Sequence, residues 1–348
     1  MRVAFLVNHL GISGVNNVVA DLVTMLVKHG HRCCVFYFKE SASKTNFTCE
    51  TRRVSNWKKR IELNEFDILH CHGLWPMLNV VINRYSNVLK VTTLHCYCFQ
   101  DFVDLYGTLK AYPLGCLYLA AAYSFDRIVC LSEDMMHYYG RYIKNKPLSF
   151  VYNTRIITSK QPDKLVVEEI KNFKQDGVLI GMNGVLINRK GIDVMIKAIG
   201  LLPTEYKLVL VGDGPERTNY ENEVMRLGLD SRVRFLGMQP NAYCYLPYYD
   251  IYALPSRSEG FPLALLEAAA MGINTVVSDL PIVSECFDVR SELTQFHLDE
   301  GAEGLMSAII MAKKDAARSI RLKQRYDRDY APERFYENYM KIYEQSKC

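Results

Sequence analysis

Residues 254–279, LPSRSEGFPLALLEAAAMGINTVVSD, carry in order the pieces of a βαβ unit. The segment begins at the end of a short apolar strand and continues as a polar loop that contains glycine. Residues 263–271 then have the composition of a helix, and Gly272 stands where a left-handed C-cap favours glycine. A β-branched strand follows. A helix that begins after a glycine loop offers backbone amides to an anion, so the segment predicts a ligand site at this helix start.

Two carboxylates flank the start of the predicted helix. Glu259 lies in the loop, and Glu267 lies one to two turns into the helix, among leucines and alanines. Placing a carboxylate on an apolar helix costs free energy unless a polar group meets it. Both glutamates are therefore candidates for ligand binding. The alternatives are a solvated loop residue for Glu259 and a buried ion pair for Glu267.

Length and composition describe an ordinary globular protein. The chain has 348 residues, which suits two domains of roughly 150 residues each. No apolar run approaches the roughly 20 residues that a membrane span needs, and the N-terminus lacks the layout of a signal peptide. The 11 cysteines are scattered, as expected for reduced thiols. These features predict a cytoplasmic protein.

The net charge of +4 is unevenly distributed. Residues 1–160 contain 19 Lys+Arg and 11 Asp+Glu, a balance of +8, and the remainder contains 23 and 27, a balance of −4. A basic first half suits an anionic membrane surface or a phosphate-bearing acceptor, although chance variation in solvated charge explains it equally well. The basic residues are not interleaved with aromatic residues on one face, which argues against nucleic acid as a partner.

Strands and helices alternate along the whole chain. The charged segment 159–175 interrupts the alternation and is predicted to be a linker, after which the pattern restarts. The alternation predicts an α/β protein with two doubly wound domains, residues 1–160 and 161–331, followed by an aromatic helix at about 332–348. A Tyr-rich helical region at 102–123, interrupted at 113–115, either packs on the sheet or touches a membrane. Six strands are predicted in the first domain: residues 2–7, 33–38, 66–71, 89–94, 126–131 and 148–152.

The first domain contains its own candidate residues at strand ends. A glycine loop with Gly14 follows the first strand, and either a tight turn or a close approach to a ligand explains it. Two later strands end in histidine and cysteine, at residues 70–72 (HCH) and 95–98 (HCYC). These ends allow a zinc site, although their spacing matches no standard structural zinc pattern. The competing hypothesis is that His95 projects into the crevice where open α/β sheets bind ligands.

The motifs together resemble those of the family-four retaining glycosyltransferases. Glu259-Gly260-Phe261-Pro262 followed by Glu267 matches the E-x7-E motif of that family. The GDGP turn at 212–215, the FLG segment at 235–237 and the DxxHxH run at 67–72 also resemble family segments. The resemblance runs the whole length of the chain. It implies the GT-B fold, in which two Rossmann-like domains face each other across a cleft and a terminal helix crosses back onto the first domain.

The resemblance also implies roles for the residues of the second domain. Glu267 would accept hydrogen bonds from the nucleotide ribose, and Glu259 would contact hydroxyls of the donor sugar. The backbone at the helix start would face the sugar and the diphosphate. Four residues form that helix start: Gly260, Phe261, Pro262 and Leu263.

Four further positions concern the phosphates and the sugar. The resemblance places Gly14 against the β-phosphate and His95 near the 6-position of the donor sugar. Lys190 matches the phosphate-binding lysine of the family, but Val185 occupies the position where the family usually has arginine. Arg189 could supply that charge from a neighbouring position. The departure at Val185 leaves the phosphate affinity and the donor type open.

The function implied by the resemblance is a metal-independent, retaining transfer of a sugar from a nucleotide-sugar, a UDP-sugar by expectation. The acceptor would be a glycan or a lipid-linked molecule in the synthesis of lipopolysaccharide or another surface polysaccharide. No cofactor is expected, and the protein could sit peripherally on the cytoplasmic face of the inner membrane. Two alternatives stay open: a UDP-sugar 2-epimerase of the same fold, and a non-catalytic sugar-nucleotide-binding partner, which only Val185 supports.

Overall fold

The computed structural model describes residues 1–344, apart from the side chains of residues 104 and 105, and the described residues fall into two compact units. The first unit comprises residues 1–156 and the C-terminal segment from Tyr330 onward, and the second comprises residues 157–329. The boundaries predicted from the sequence were 160/161 and 331/332. Residues 345–348, the predicted end of the terminal helix, lie outside the described part of the chain.

The first unit is built on a parallel sheet of seven strands in the order β3-β2-β1-β4-β5-β6-β7. The sequence predicted six strands, and the additional strand is β3, which pairs with β2 at one edge of the sheet. Its sequence, ETRR, is polar and carries no apolar alternation, so only the pairing reveals it. The strands are β1 (Arg2–His9), β2 (Arg32–Lys39), β3 (Glu50–Arg53), β4 (Ile68–His72), β5 (Leu89–Thr93), β6 (Arg127–Cys130) and β7 (Leu148–Phe150).

Five helices follow these strands in the first unit. Each lies in the connection between two strands that are consecutive in the chain, because parallel strands need a crossover connection. The helix after β1 is capped by Ser13, whose Oγ accepts a hydrogen bond from the backbone N–H of Asn16 at 3.2 Å. The helices are α1 (Gly14–Lys28), α2 (Leu74–Asn83), α3 (Cys98–Tyr106), α4 (Thr108–Ala122) and α5 (Glu133–Gly140).

The predicted interruption at residues 113–115 is wrong, because the chain breaks instead at Gly107. Gly107 adopts φ +74 between α3 and α4, and Pro113 lies inside α4. Gly115 also remains helical. A Cβ at Gly115 would lie 2.5 Å from a ring atom of Phe99, so glycine here lets α3 pack closely on α4.

The second unit is built on a parallel sheet of six strands in the order β10-β9-β8-β11-β12-β13. Counted within the unit, this order is 3-2-1-4-5-6, the arrangement of a dinucleotide-binding sheet, and the first unit repeats it with one strand more. Ligands bind such sheets where the strand order reverses, which is beside β8 and β11 here and beside β1 and β4 in the first unit. The strands are β8 (Val178–Asn183), β9 (Tyr206–Val211), β10 (Val233–Gly237), β11 (Ile251–Leu254), β12 (Thr275–Ser278) and β13 (Thr294–Phe296).

Among the helices of the second unit, α9 (Leu263–Met271) begins and ends at the predicted residues. The predicted linker at 159–175 is wrong in its second part, because that part forms α6. Asp163 caps α6 by accepting from the N–H of Leu165 at 2.8 Å, and Ile170 and Phe173 are buried. The helices are α6 (Lys164–Lys174), α7 (Ile192–Leu201), α8 (Arg217–Arg226), α9 (Leu263–Met271), α10 (Pro281–Cys286), α11 (Gly301–Lys314) and α12 (Ala317–Arg325).

The terminal helix, α13 (Pro332–Glu344), belongs to the first unit and follows a π-helical segment at Tyr326–Tyr330. Its aromatic stripe is buried against that unit. The hydroxyl of Tyr343 lies 2.8 Å from His70 Nδ1, and the hydroxyl of Tyr339 lies 3.1 Å from Thr93 Oγ1. The helix therefore supports the carboxyl ends of β4 and β5 from within the unit.

Candidate active site

The loops after β8 and β11 in the second unit meet in a buried ion pair. Lys190 Nζ donates to Glu259 Oε1 at 2.6 Å, and Ser256 Oγ donates to the same oxygen at 2.7 Å. Glu259 is only 8% exposed. The two loops leave the sheet where its strand order reverses, so the pair lies at the expected ligand-binding position of this fold.

The charges around Glu259 keep its carboxylate ionised. Burial on its own raises the pKa of Glu259, but the charges of Lys190 and Arg189 and the hydrogen bonds from Lys190 and Ser256 outweigh that effect. The net pKa therefore lies below its ordinary value. The site therefore holds the carboxylate of Glu259, a hydrogen-bond acceptor, next to the ammonium of Lys190, and both are largely buried.

Glycine is required where the two loops cross. Gly191 adopts φ +66, and a Cβ there would lie 1.9 Å from the carbonyl oxygen of Pro255. The backbone N–H of Arg257 donates to the carbonyl of Arg189 at 2.8 Å beside this crossing. The close backbone approach brings Lys190 within reach of Glu259.

Three residues that sequence reasoning missed hold the loops in place. Arg257 forms a two-point contact with Asp193, with N···O distances of 2.9 and 2.7 Å. Ser256 donates to Glu259, and Ser278 Oγ in turn donates to the carbonyl of Ser256 at 2.5 Å. Ser256 and Ser278 are wholly buried. Ser256 lies two residues after β11 and Ser278 ends β12, and this position at a strand end was the only signal in the sequence.

The GDGP turn supports the loop that follows β8. The N–H of Leu186 donates to the carbonyl of Asp213 at 3.0 Å, and a Cβ on Gly212 would lie 1.8 Å from the carbonyl oxygen of Gly184. Val185, at the position where arginine was expected, is 49% exposed. Val185 and Lys190 both line an opening of about 270 Å³ beside β8 and β11.

The helix start predicted to face an anion carries no competing side chain among the described residues. Pro262 precedes α9 without a side-chain cap, and the first turn contains no acidic residue. Gly260, Phe261 and Pro262 are buried, and Leu263 is half-buried. The positive end of the helix dipole therefore lies beside the Glu259 loop.

Glu267 is half-buried on α9 and lies near the hydroxyl-bearing side chain of Tyr252. Burial, and after it the charge of Glu267, raises the pKa of Tyr252. The guanidinium of Arg189 lies along the same loop, and its Nη1 donates to the carbonyl of Ser258 at 3.2 Å. Arg189 thus contributes charge to the loop of Glu259.

The first unit carries its candidate residues at the carboxyl ends of β1 and β5. Gly14 is exposed at the first position of α1. The side-chain amide of the buried Asn16 holds the preceding loop, donating to the carbonyls of His9 at 2.8 Å and of Gly11 at 2.6 Å. This loop is therefore fixed by the chain itself.

His95 is half-buried and pairs with another histidine. Its Nε2 lies 2.8 Å from Nδ1 of His72, the last residue of β4. Burial lowers the pKa of His95 to about 4 and that of His70 to about 3, and it lowers the pKa of His72 well below the usual value. The three imidazoles are neutral near pH 7. His72 belongs to the HCH and DxxHxH patterns of the sequence, but its pairing with His95 was not predicted.

The zinc hypothesis for these strand ends is wrong for the described residues. Both ring nitrogens of His70 have partners, Tyr343 OH and Thr93 Oγ1, each at 2.8 Å. Burial raises the pKa values of the Cys71 and Cys98 thiols. Among the side chains that the structure describes, no group of three or more His, Cys, Asp or Glu is placed to hold a metal ion.

Sequence comparison agrees with the two units. The family profile described as "Glycosyl transferases group 1" matches residues 163–328, and "Glycosyltransferase Family 4" matches residues 12–154. The O-antigen biosynthesis glycosyltransferase WclY of Escherichia coli is 32% identical over 298 residues, which is 83% of each chain. The chain belongs to the glycosyltransferases. A lipopolysaccharide core biosynthesis glycosyltransferase of Rhizobium meliloti, LpsE, is 34% identical over 131 residues, or 38% of this glycosyltransferase and 35% of LpsE.

Solved structures show the fold of this glycosyltransferase. The Anabaena protein Alr3699/HepE in complex with UDP and glucose matches with a TM-score of 0.80 at 16% identity, over 98% of this chain and 99% of that one. A sucrose-phosphate synthase from Thermosynechococcus elongatus matches with a TM-score of 0.80 at 18% identity, over 99% and 98%. The predicted α/β fold class, GT-B with two Rossmann-like domains, is confirmed. The epimerase alternative is not favoured.

Proposed function

We propose that this glycosyltransferase moves a sugar from a UDP-sugar to a glycan or lipid-linked acceptor in the synthesis of O-antigen or lipopolysaccharide, with retention at the anomeric carbon and without a metal ion. The relatives WclY and LpsE, whose names refer to O-antigen and lipopolysaccharide core synthesis, support the acceptor class. The Anabaena protein seen with UDP supports the nucleotide.

The buried pair of Lys190 and Glu259 is the observation that carries the proposal. A departing nucleoside diphosphate needs positive charge, and a sugar needs hydrogen-bond acceptors for its hydroxyls. Lys190 supplies the positive charge and Glu259 supplies the acceptor, and the distance from Nζ to Oε1 is 2.6 Å. The pair lies beside the start of α9, which has no side-chain cap. When a donor binds, Lys190 turns to its phosphates and Glu259 accepts from the sugar hydroxyls. Glu267, one turn further along α9, accepts from the ribose.

The proposed reaction needs no residue of the enzyme to attack the sugar. The bond between the anomeric carbon and the phosphate oxygen breaks, and its electron pair leaves with the UDP. The acceptor hydroxyl oxygen forms the new bond from the same face, and its proton moves to the departing phosphate oxygen. Lys190, the backbone at 260–263 and the helix dipole stabilise the charge that develops on the phosphate.

The first unit would contribute two groups to the same donor. Gly14 is exposed at the start of α1, where a residue without a side chain allows a phosphate to approach the backbone. His95 would contact the donor sugar through the ring nitrogen that does not bond to His72. Both roles are proposals.

A peripheral contact with the inner membrane, from the cytoplasmic side, is a further part of the proposal. Residues 1–160 carry a charge balance of +8, and α4 exposes Leu109 (90%) beside Tyr112 and Lys110. Apolar and basic side chains together suit anionic lipid surfaces. Among the described residues, no helix has the length and hydropathy to cross a membrane. Co-sedimentation with anionic vesicles tests this contact. Wild type should sediment with the vesicles and Leu109→Ser should sediment less, and a wild-type protein that stays in the supernatant has no such contact.

The experiment for the activity has two stages. Thermal shift with UDP-, GDP- and ADP-sugars first identifies the nucleotide, because a ligand that binds only the folded state raises the midpoint. The donor is then incubated with lipid-linked acceptor in EDTA, and NMR of the product gives its anomeric configuration. Retention in EDTA is expected, and inversion or a metal requirement would overturn the corresponding part of the proposal.

The same experiment separates the remaining alternatives. Free epimerised sugar from a UDP-sugar without acceptor would indicate an epimerase. Tight UDP binding without transfer to any acceptor would indicate a non-catalytic binding partner.

A further inference from the structure

The ring pair of His72 and His95 contains one hydrogen bond whose direction the contacts determine. The bond joins His72 Nδ1 and His95 Nε2 at 2.8 Å, between the end of β4 and the loop after β5. In a pair of neutral imidazoles, one ring donates and the other accepts. The direction of this bond sets which nitrogen of His95 carries the proton.

The buried nitrogen of His72 decides between the two directions. His72 is 2% exposed, and its Nε2 is buried without a hydrogen-bond partner among residues 1–344. If His95 donated, His72 would carry its proton on Nε2 as an unpaired, buried N–H, which is unfavourable because the donor has lost its hydrogen bonds to water. If His72 donates from Nδ1, Nε2 keeps only a lone pair. Buried acceptors without a partner are better tolerated than buried donors.

Two buried aromatic rings pack against His72. The ring of His70 packs at a centroid distance of 4.3 Å, and that of Phe5 at 6.1 Å. His70 is itself fixed by Tyr343 and Thr93 through both of its ring nitrogens. The helix α13 thus holds His70 against His72, and the bond to His95 distinguishes the two orientations of the His72 ring.

We propose that His72 is a positioning residue that fixes His95 as the Nδ1–H tautomer, so that His95 meets the donor as a hydrogen-bond donor. This inference rests on the proposed contact between His95 and the donor sugar. An Nδ1–H imidazole with Nε2 already occupied has no lone pair left for a proton. His95 therefore does not act as the base, and the departing phosphate oxygen is left as the group that takes the proton of the acceptor.

The test measures the tautomer directly in the free enzyme. Long-range ¹H–¹⁵N spectra of protein labelled at its histidines show for each ring which nitrogen is protonated, and His95→Gln assigns the signals of His95. The expected wild-type result is a protonated Nδ1 and an unprotonated Nε2. In His72→Phe, which keeps an aromatic ring but removes the donor, His95 should change to the Nε2–H form that free imidazole side chains prefer.

Two further variants separate positioning from packing. His72→Asn places an amide N–H near the position of Nδ1 and should restore the tautomer. Thr92→Val is the control for packing. It removes a buried hydroxyl on β5 that donates to the carbonyl of Cys71, and it should leave the tautomer of His95 unchanged. In transfer assays, His72→Phe should raise the KM for the donor about tenfold, which corresponds to the loss of one hydrogen bond between His95 and the donor. His72→Asn should bring the KM most of the way back to the wild-type value.

Each result decides the inference. A wild-type His95 with its proton on Nε2 overturns it, even if His72→Phe fails to fold. An unchanged tautomer in a folded His72→Phe also overturns it. If the protein transfers no sugar at all, the proposed function fails while the wild-type spectrum still decides the tautomer.

Discussion

The two units share one strand order but carry opposite chemistry at the carboxyl ends of their sheets. The first unit places three neutral imidazoles there, His70, His72 and His95. The second places the ion pair of Lys190 and Glu259. Burial favours the neutral form of both kinds of group, and the difference lies in the partners. Hydroxyls and other imidazoles surround the histidines, whereas an ammonium, a guanidinium and a serine hydroxyl face Glu259. The scaffold therefore does not determine the charge of its site.

The comparison predicts that acid destabilises the first unit before the second, and this is the largest effect expected. The pKa values of the three histidines are lowered from 6.5 in the folded state, so the unfolded chain binds more protons as the pH falls below 6.5, and stability is lost. Each histidine adds a slope of about 1.4 kcal/mol per pH unit while only its unfolded form is protonated.

Both tryptophans, Trp57 and Trp75, lie in the first unit, so their fluorescence reports on it alone. Urea unfolding between about pH 7 and about pH 5 should show the midpoint falling. The pKa of Glu259 lies below 4.5, so its contribution remains present over this range and is lost only at lower pH. Hydrogen exchange of β9 amides monitors the second unit. A fluorescence midpoint that does not move with pH would contradict the prediction.

Breaking the ion pair should affect the second unit alone. Lys190→Met removes the cation that faces the leaving phosphate, and kcat/KM should fall about 10²–10³-fold. It also leaves Glu259 buried without its ammonium partner, which should lower the free energy of unfolding by about 3 kcal/mol. Adding Glu259→Gln should recover stability but not activity. Recovery of activity in the double variant would show that the pair is structural.

A pair of glycine substitutions isolates the crossing of the two loops. Gly191 and Gly228 both adopt φ +66, but only Gly191 would place a Cβ against Pro255. Gly228→Ala should cost about 1 kcal/mol for the left-handed backbone alone. Gly191→Ala should cost about 3 kcal/mol and reduce turnover, because it separates Lys190 from Glu259. Equal losses of stability in the two variants would show that the crossing relaxes freely.

Restoring the arginine expected at position 185 should have the smallest effect. The exposed Val185 lines the same opening as Lys190, so a guanidinium there can add a charged hydrogen bond to a phosphate. Val185→Arg should lower KM for the donor about fivefold, equivalent to about 1 kcal/mol. Val185→Met separates the effect of length from that of charge. A KM unchanged by arginine would mean that Arg189 already serves the phosphates.

Local patterns predicted much of the fold because each pattern has a local physical cause. The bounds of α9 follow from an apolar run between a proline and a left-handed glycine, and the structure reproduces them. The polar edge strand β3 was not among the six predicted strands, because its segment suited a loop or a short edge strand equally and only the pairing with β2 decides between them. The charged segment at 164–174 looked like a linker, because two buried residues, Ile170 and Phe173, give only a weak helical period.

The sequence by itself determined the alternation of strands and helices, the E-x7-E segment and the family. The tertiary structure alone decided which candidates have partners. Lys190 and Glu259 are 69 residues apart, and His70 and Tyr343 are 273 apart. Periodicity and capping act over one or two turns, so they contain no information about such contacts. Parallel sheet order brings distant loops to one edge, and only there do Ser256 and His72 acquire the neighbours that give them a role.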